Sequence, residues 1–96
     1  MNKYSVLKQP ADVMRELAEK SAALRKQKGY SQTELARRSG VSLGSLRRFE
    51  QTGHISLESL LLITQLLGRL TDFDKVLKPI EDLAEIEKLF IDRTKK

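Results

Sequence analysis

The stretch SQTELARRSGVSLGSLRRFEQTG, residues 31–53, predicts two short helices joined by a tight turn. Ser31 and Glu34 have the spacing of a capping box, in which each side chain binds a free backbone N–H at the start of a helix. Gly40 is expected to end this helix because glycine readily adopts the positive φ found at helix ends. Ser42 caps the helix after the turn, which is the third helix of the chain and runs to about residue 51. The pattern predicts a helix-turn-helix.

The side chains around the turn fit this motif. A small residue is needed where the second helix crosses the first, the turn needs an unusual φ, and apolar side chains must fill the angle between the helices. Five residues meet these needs at fixed spacing: Ala36, Gly40, Val41, Leu46 and Phe49. They favour a helix-turn-helix over the alternative of two core helices that happen to turn here.

Helical periodicity continues on both sides of the motif. A first helix is predicted from Pro10, which favours a helix start, to Gly29. Its inward face consists of Val13, Met14, Leu17, Ser21 and Leu24. A fourth helix lies between the cap Ser56 and Gly68. Its broad apolar face consists of Leu57, Leu60, Leu61, Ile63, Thr64 and Leu67.

The C-terminal part predicts two further helices. Thr71 or Asp72 caps a short fifth helix through residue 77, and Pro79 begins a sixth. The expected organisation is an N-terminal arm at residues 1–9, a helix-turn-helix domain at 10–77, and a C-terminal helix at 78–96 for dimerisation or partner binding. The chain is therefore predicted to be all-α.

Composition narrows the possible functions. The net charge is +5, and the charge is uneven, because residues 1–53 hold 11 Lys/Arg against 5 Asp/Glu while the remaining residues are nearly neutral. A basic first half favours an anionic partner. With no cysteine and a single histidine, His54, the chain offers no metal cluster, and we expect no cofactor.

Other classes of protein are disfavoured. No apolar run approaches the roughly 20 residues of a membrane span, and we expect neither a signal peptide nor a membrane partner. The sequence shows no nucleophile–base pair and no phosphate-binding glycine loop, so we expect no enzyme. The absence of cysteine is consistent with a reducing cytoplasm, and a cytoplasmic protein is expected.

Residues 24–68 resemble the lambda-repressor-like, Cro-type (XRE) helix-turn-helix domain. The resemblance rests on Leu24-Arg25, residues 31–36, Gly40-Val41-Ser42, Leu46, Phe49-Glu50, Gly53, Ile55 and residues 66–68. With the flanking helices it covers residues 10–77, and it implies the five-helix DNA-binding fold with an additional C-terminal helix. In this family the helix after the turn enters the major groove of double-stranded DNA, and most members bind operators as dimers.

The resemblance also implies roles for individual residues. Arg25 and Glu50 match a largely buried ion pair between the first and third helices. Four residues match base-facing positions: Leu43, Gly44, Arg47 and Arg48. Seven residues are expected near DNA phosphates: Gln32, Ser42, Ser45, Lys28, Arg37, Thr52 and His54. Gln32 also matches a residue that braces the recognition helix.

The base-facing positions depart from the family pattern. Many relatives have side chains there that form bidentate hydrogen bonds with bases. Here Leu43 offers only an apolar contact, for example to a thymine methyl group, and Gly44 offers no side chain. We expect Arg48 to approach a base, most simply guanine, and Arg47 to favour phosphate. The alternative is that both arginines are solvated surface charges.

The apolar residues near the C-terminus exceed what a five-helix domain needs. We predict a two-fold dimer interface containing Phe73, Val76, Ile80, Leu83, Ile86 and Phe90. The alternative is that the sixth helix folds back on its own domain. A dimer would place two recognition helices roughly 34 Å apart, one turn of DNA.

The resulting prediction is a sequence-specific DNA-binding regulator, an autorepressor that binds a pseudo-palindromic operator. Residues 47–61 are most similar to HipB-type regulators, which implies an antitoxin that binds a HipA-type kinase toxin. Phage-type repressors and restriction-modification controllers are alternatives within the family. A protein-interaction adaptor that no longer binds DNA is an alternative from another class.

Overall fold

The computed structural model describes residues 8–80, which form a helical domain without a strand in that range. The helices are α1 Pro10–Gln27, α2 Gln32–Ser39, α3 Leu43–Thr52, α4 Leu57–Leu66 and a 3-10 helix Leu70–Lys75. The predicted all-α class and five helices are confirmed. Most of the predicted arm and of the predicted sixth helix, including Leu83, Ile86 and Phe90, lie outside the described residues.

Serine side chains begin three of the helices, as their positions predict. Ser31, Ser42 and Ser56 each accept a hydrogen bond from the backbone N–H three residues on, at 3.0, 3.1 and 3.0 Å. Each such cap contributes about 1 kcal/mol. The second half of the predicted capping box is wrong, because the Glu34 carboxylate binds arginine side chains rather than the backbone N–H of Ser31.

Two apolar clusters hold the helices together. The first contains buried residues of α2, the turn, α3 and α4: Leu35, Ala36, Val41, Leu46, Ile63 and Leu67. The second joins α1, α3 and α4 through Ala18, Phe49 and Leu60. Phe49 was expected to fill the angle between α2 and α3, but it packs on the other side of α3. The recognition helix is therefore packed between two clusters.

Several predicted inward faces are rotated or shorter in the structure. Val13 is exposed, and the buried positions of α1 are Ala18, Ser21 and Arg25. Leu57, predicted to lie on the apolar face of α4, is 67% exposed. A helix buries only the stripe that meets a neighbour, so the ends of an apolar face stay exposed where no neighbour lies.

The fifth helix also differs from the prediction. It is a 3-10 helix that follows Arg69, so neither Thr71 nor Asp72 caps it. Asp72 instead forms an ion pair with Arg69 at 2.9 Å. The helix ends at Lys75, which leaves Val76 outside it. A six-residue segment has too few turns for its side-chain pattern to distinguish α from 3-10 geometry.

Candidate nucleic-acid interface

The turn between α2 and α3 sets the direction of α3. Gly40 has φ +83°, and its N–H donates to the carbonyl of Ala36 at 3.0 Å, which closes α2. Val41 is 5% exposed and enters the first apolar cluster, while Ser42 caps α3. Because each residue of the turn is held by a bond or by packing, α3 projects from the domain at a defined angle.

A buried ion pair links α3 to α1. Arg25 Nε donates to Glu50 Oε2 at 2.8 Å, and Arg25 Nη2 donates to Oε1 at 3.0 Å. Gln32, at the start of α2, donates from Nε2 to the same carboxylate at 2.8 Å. The pair is bidentate, the strongest common geometry for an arginine and a carboxylate. One carboxylate on α3 therefore binds residues of both preceding helices.

The outward face of α3 carries the candidate base-reading residues. Gly44, Ser45, Arg47 and Arg48 are all exposed. Neither arginine side chain forms an ion pair or hydrogen bond with residues 8–80, whereas Arg25 is bound to Glu50. Unpaired guanidinium groups on the exposed face of a packed helix are positioned to bind an anionic or guanine-containing partner.

The two residues at the start of α3 have different surroundings. Leu43 is half-buried and packs against the first apolar cluster, so only part of its side chain is available to a base. Gly44 is exposed, and a Cβ added to it would meet no atom within 4 Å. The surface at Gly44 is therefore open, and the backbone there allows close approach of a partner.

A polar groove borders this face on the side of α4. It has a volume of about 340 Å³ and is lined by Ser45, Arg48, His54, Ile55, Ser56 and Ser59. The groove places the Arg48 guanidinium and the His54 imidazole beside the N-terminal end of α4. The free N–H groups and partial positive charge of a helix N-terminus favour an anion, so the wall of the groove formed by the start of α4 suits a phosphate.

The loop after α3 uses some predicted phosphate ligands for its own structure. The Thr52 hydroxyl donates to the Arg48 carbonyl at 2.7 Å and accepts from the His54 N–H at 3.1 Å. Ser42 Oγ similarly donates to Ser45 Oγ at 2.8 Å. These hydroxyls are exposed, but a phosphate would have to compete with the bonds that they form.

Basic residues on α2 bind a neighbouring carboxylate. Glu34 accepts from Arg37 at 3.1 Å and from Arg38 at 2.6 Å. The hydrogen bond from Arg38 holds the pKa of Glu34 below its ordinary value, and the same bond raises the pKa of Arg38. Arg38 also lies over the Tyr30 ring, 5.4 Å from its centroid. Arg37, the predicted phosphate ligand, is the more exposed of the two arginines.

Lys28 occupies a different part of the domain from the α3 residues. Its Nζ lies 3.9 Å from where a Cβ of Gly68 would be. Gly68 follows the C-terminal end of α4, where the partial charge of a helix is negative and favours a cation. Lys28 thus lies near the C-terminus of α4 and outside the cluster formed by Ser45, Arg48 and His54.

Two residues with defined structural roles were not singled out as site residues. Ser39 Oγ donates to the Ala36 carbonyl at 3.3 Å and accepts from the Val41 N–H at 3.2 Å, so it braces the turn. The Tyr30 carbonyl accepts from Arg25 Nη1 at 2.9 Å, which gives the buried guanidinium a third hydrogen bond. A polar residue near a helix end often bonds to the local backbone, a signal that applied to Ser39.

Among residues 8–80, no helix has the length and apolar character needed to cross a bilayer. Within the same range, no three His, Asp or Glu side chains lie close enough together to hold a metal ion. A family model described as helix-turn-helix matches residues 22–73, which is more than half of the chain. No curated protein and no solved structure matched the sequence significantly.

Proposed function

The chain belongs to the XRE-type helix-turn-helix family of DNA-binding regulators, and on that premise we propose that it is a dimeric repressor that reads its operator through α3. This family is a DNA-binding and regulatory one rather than a catalytic one. One observation carries the proposal: Arg47 and Arg48 are exposed and unpaired among residues 8–80 on a helix held by the buried Arg25–Glu50 pair.

The two arginines are proposed to have different roles. They are adjacent, so they lie about 100° apart around α3 and cannot enter the major groove in the same way. Arg48 lines the polar groove at the rim of α3. We assign Arg48 to guanine O6 and N7, and Arg47 to a backbone phosphate. Leu43 and Gly44 provide an apolar contact and a close approach rather than hydrogen bonds.

The phosphate contacts are proposed to lie on both sides of α3. Gln32, Ser42 and Arg37 would contact the backbone from the α2 side, and Ser45, Thr52 and His54 from the loop side. Lys28, near the C-terminus of α4, contributes only through its general positive charge. Such contacts supply affinity that does not depend on sequence and that falls steeply with salt.

Arg48→Ala tests the reading of bases. Binding to the chain's own upstream DNA and to an unrelated duplex should be compared by gel shift at several salt concentrations. We expect Arg48→Ala to lose a factor of roughly 5 to 150 in discrimination between the two DNAs, corresponding to about 1–3 kcal/mol. The matched control, Arg47→Ala, should weaken binding to both DNAs equally and reduce the salt slope by about one.

Other outcomes would redirect the proposal. No binding of wild-type protein at low salt would favour the adaptor that acts without DNA. If Arg48→Ala binds DNA with unchanged discrimination, the sequence-dependent shape of the DNA provides the selectivity. Gly44→Gln introduces a side chain into open space and should change the preferred sequence without unfolding the domain.

The proposed dimer uses apolar residues beyond α4. Val76 is 55% and Ile80 73% exposed, which is unfavourable for apolar side chains in water. Phe73, the other predicted interface residue in this range, is half-buried against the second apolar cluster and is largely used within its own domain. The proposed interface therefore begins at Val76 and continues through Leu83, Ile86 and Phe90. Sedimentation showing only monomer at tens of micromolar would contradict it.

We further propose an antitoxin role, with autorepression of the operon and binding of a HipA-type kinase toxin, on the similarity of residues 47–61 to HipB-type regulators. A kinase-like gene beside this one, and co-purification of its product with the full chain, would support this role. A neighbouring restriction-modification or phage gene cluster would favour the alternative regulators of the same family.

A further inference from the structure

A second groove lies between α1, α4 and the 3-10 helix, and no residue of α2 or α3 lines it. Its volume is about 230 Å³, and its walls are mainly apolar, with Leu17, Leu24, Leu60 and Phe73 among them. It therefore belongs to a different surface from the proposed DNA interface. A groove of this character favours an apolar occupant.

One buried polar group in the groove lacks a partner. Ser21 is 9% exposed, and its Oγ has no hydrogen-bond partner among residues 8–80. Burying a hydroxyl without a partner is unfavourable, and most buried polar groups in folded proteins are bonded. A partner atom from outside residues 8–80 would satisfy it. The groove thus combines mainly apolar walls with one buried hydroxyl that has no partner among residues 8–80.

The rim of the groove carries one positive charge that is not balanced by a carboxylate of the rim. Lys20 forms no ion pair with residues 8–80, and Arg69 is paired with Asp72 at 2.9 Å. The stretch EDLAEIE, residues 81–87, contains four acidic residues and no basic one. Residues 83–90 add Lys88, and in them Leu83, Ile86 and Phe90 follow a spacing of three and then four, the pattern of an apolar stripe on one side of a helix. Charge and apolar pattern both complement the groove.

We propose that the groove binds residues 83–90 of a second copy of the chain. This inference rests on the proposed function, because it names the surface that the predicted dimer segment contacts. Leu83, Ile86 and Phe90 enter between α1 and α4, and the acidic side chains face Lys20. A carboxylate or backbone carbonyl of the segment accepts a hydrogen bond from Ser21.

The exposure of residues 76–80 favours a segment from a second copy of the chain, rather than the chain's own segment, as the occupant of the groove. Val76, Leu77 and Ile80 are 55%, 95% and 73% exposed, so the chain that leaves the groove wall is largely exposed at these positions up to residue 80. If each chain places residues 83–90 in the groove of the other, one two-fold contact covers both grooves and the connecting apolar residues.

The absence of cysteine from the chain allows a direct test. Full-length Thr64→Cys, whose new thiol would lie in the groove, is mixed with full-length Ile86→Cys and oxidised. Any disulfide between the two variants must join two chains. We expect a mixed dimer on a non-reducing gel, at least roughly tenfold more abundant than with Leu62→Cys, which is on α4 but does not line the groove.

The double variant Thr64→Cys/Ile86→Cys separates the alternatives. A fast-migrating, internally linked monomer together with no mixed dimer would overturn the proposal in favour of the chain's own segment. No enrichment over the Leu62 control in either experiment would also overturn it. Sedimentation and gel shift of the wild type separate failure of this groove proposal from failure of the proposed function. If the wild type is a dimer that binds its operator but the cross-link does not form, only the groove proposal fails. If the wild type is a monomer, the proposed dimer itself is contradicted.

Discussion

Two carboxylates in this domain each bind two polar side chains, yet they have different effects on the structure. Glu50 accepts from Arg25 and Gln32, residues 25 and 18 positions away, and its side chain is 8% exposed. Glu34 accepts from the two arginines that follow it on α2, and its side chain is 33% exposed. Similar chemistry therefore joins three helices in one case and remains within one helix in the other.

The difference is one of burial and sequence separation. An ion pair within one helix forms with little further loss of chain entropy, but water competes with it and salt screens it. A buried pair between helices requires the correct fold, and losing one partner leaves a charge without solvation. The Glu50 cluster therefore sets the position of α3, and the Glu34 cluster only modifies the surface of α2.

The largest effect should come from Glu50→Ala. It leaves the Arg25 guanidinium buried without its carboxylate, and we expect a loss of about 3–5 kcal/mol in the free energy of unfolding. Urea denaturation followed by circular dichroism measures it. The double variant Arg25→Met/Glu50→Leu removes both charges and should recover most of the loss. If Glu50→Ala costs less than about 1 kcal/mol, the pair does not hold α3 in place.

The next largest loss in the free energy of unfolding is expected at one of two glycines that share the same backbone conformation. Gly53 has φ +86° and Gly40 has φ +83°. A Cβ on Gly53 would lie 3.0 Å from the backbone carbon and oxygen of Met14 in α1, whereas one on Gly40 would meet nothing within 4 Å. Both substitutions by alanine pay about 1–2 kcal/mol for positive φ. Only Gly53→Ala should add about 1–3 kcal/mol of overpacking.

Gly40→Ala is thus the matched control for Gly53→Ala. The difference between their unfolding free energies isolates the contact with α1, since the φ cost is common to both. Equal destabilisation of the two variants would show that α1 moves away from Gly53 without cost. The long-range contact would then contribute less to the fold than the buried ion pair does.

The smallest effect should come from Glu34→Gln. Because its folded-state pKa is lowered, the Glu34 carboxylate contributes stability that is present above its unfolded-state pKa and lost as the pH falls through the folded-state pKa. Wild type and variant should differ slightly at neutral pH and converge as the pH falls through the folded-state pKa of Glu34, where the carboxyl becomes protonated. High salt should also reduce the difference. A change as large as that of Glu50→Ala would contradict the contrast between the two clusters.

Sequence patterns located most of the fold because the relevant signals are local. Serine caps at Ser31, Ser42 and Ser56 bond to N–H groups three residues away, and Gly40 meets a local backbone requirement. Predictions were less accurate where the outcome depended on distant residues. Leu57 is exposed because no helix within residues 8–80 covers the start of α4, and Phe49 packs towards α1 rather than α2.

The candidate site also has features that the sequence predicts and features that depend on distant residues. The identity of the exposed residues Gly44, Arg47 and Arg48 follows from their positions after a recognisable turn. Whether a polar side chain is free to bind a partner does not follow from its position in the sequence. Thr52 and Arg37 are also polar, but their side chains bond to other groups of the protein. Whether a polar group is free depends on which acceptors the fold brings within about 3 Å of it.

The sequence by itself determined the four α-helices, the three serine caps, the tight turn and the excess of positive charge, since these depend on composition and on residues within a few positions of one another. Tertiary structure decided which face each helix buries and which arginines remain unpaired. It also decided that Glu50 binds two earlier helices, and that a groove containing the unpartnered Ser21 lies away from α3. Burial and long-range bonds depend on how the helices pack, and packing is a property of the whole domain.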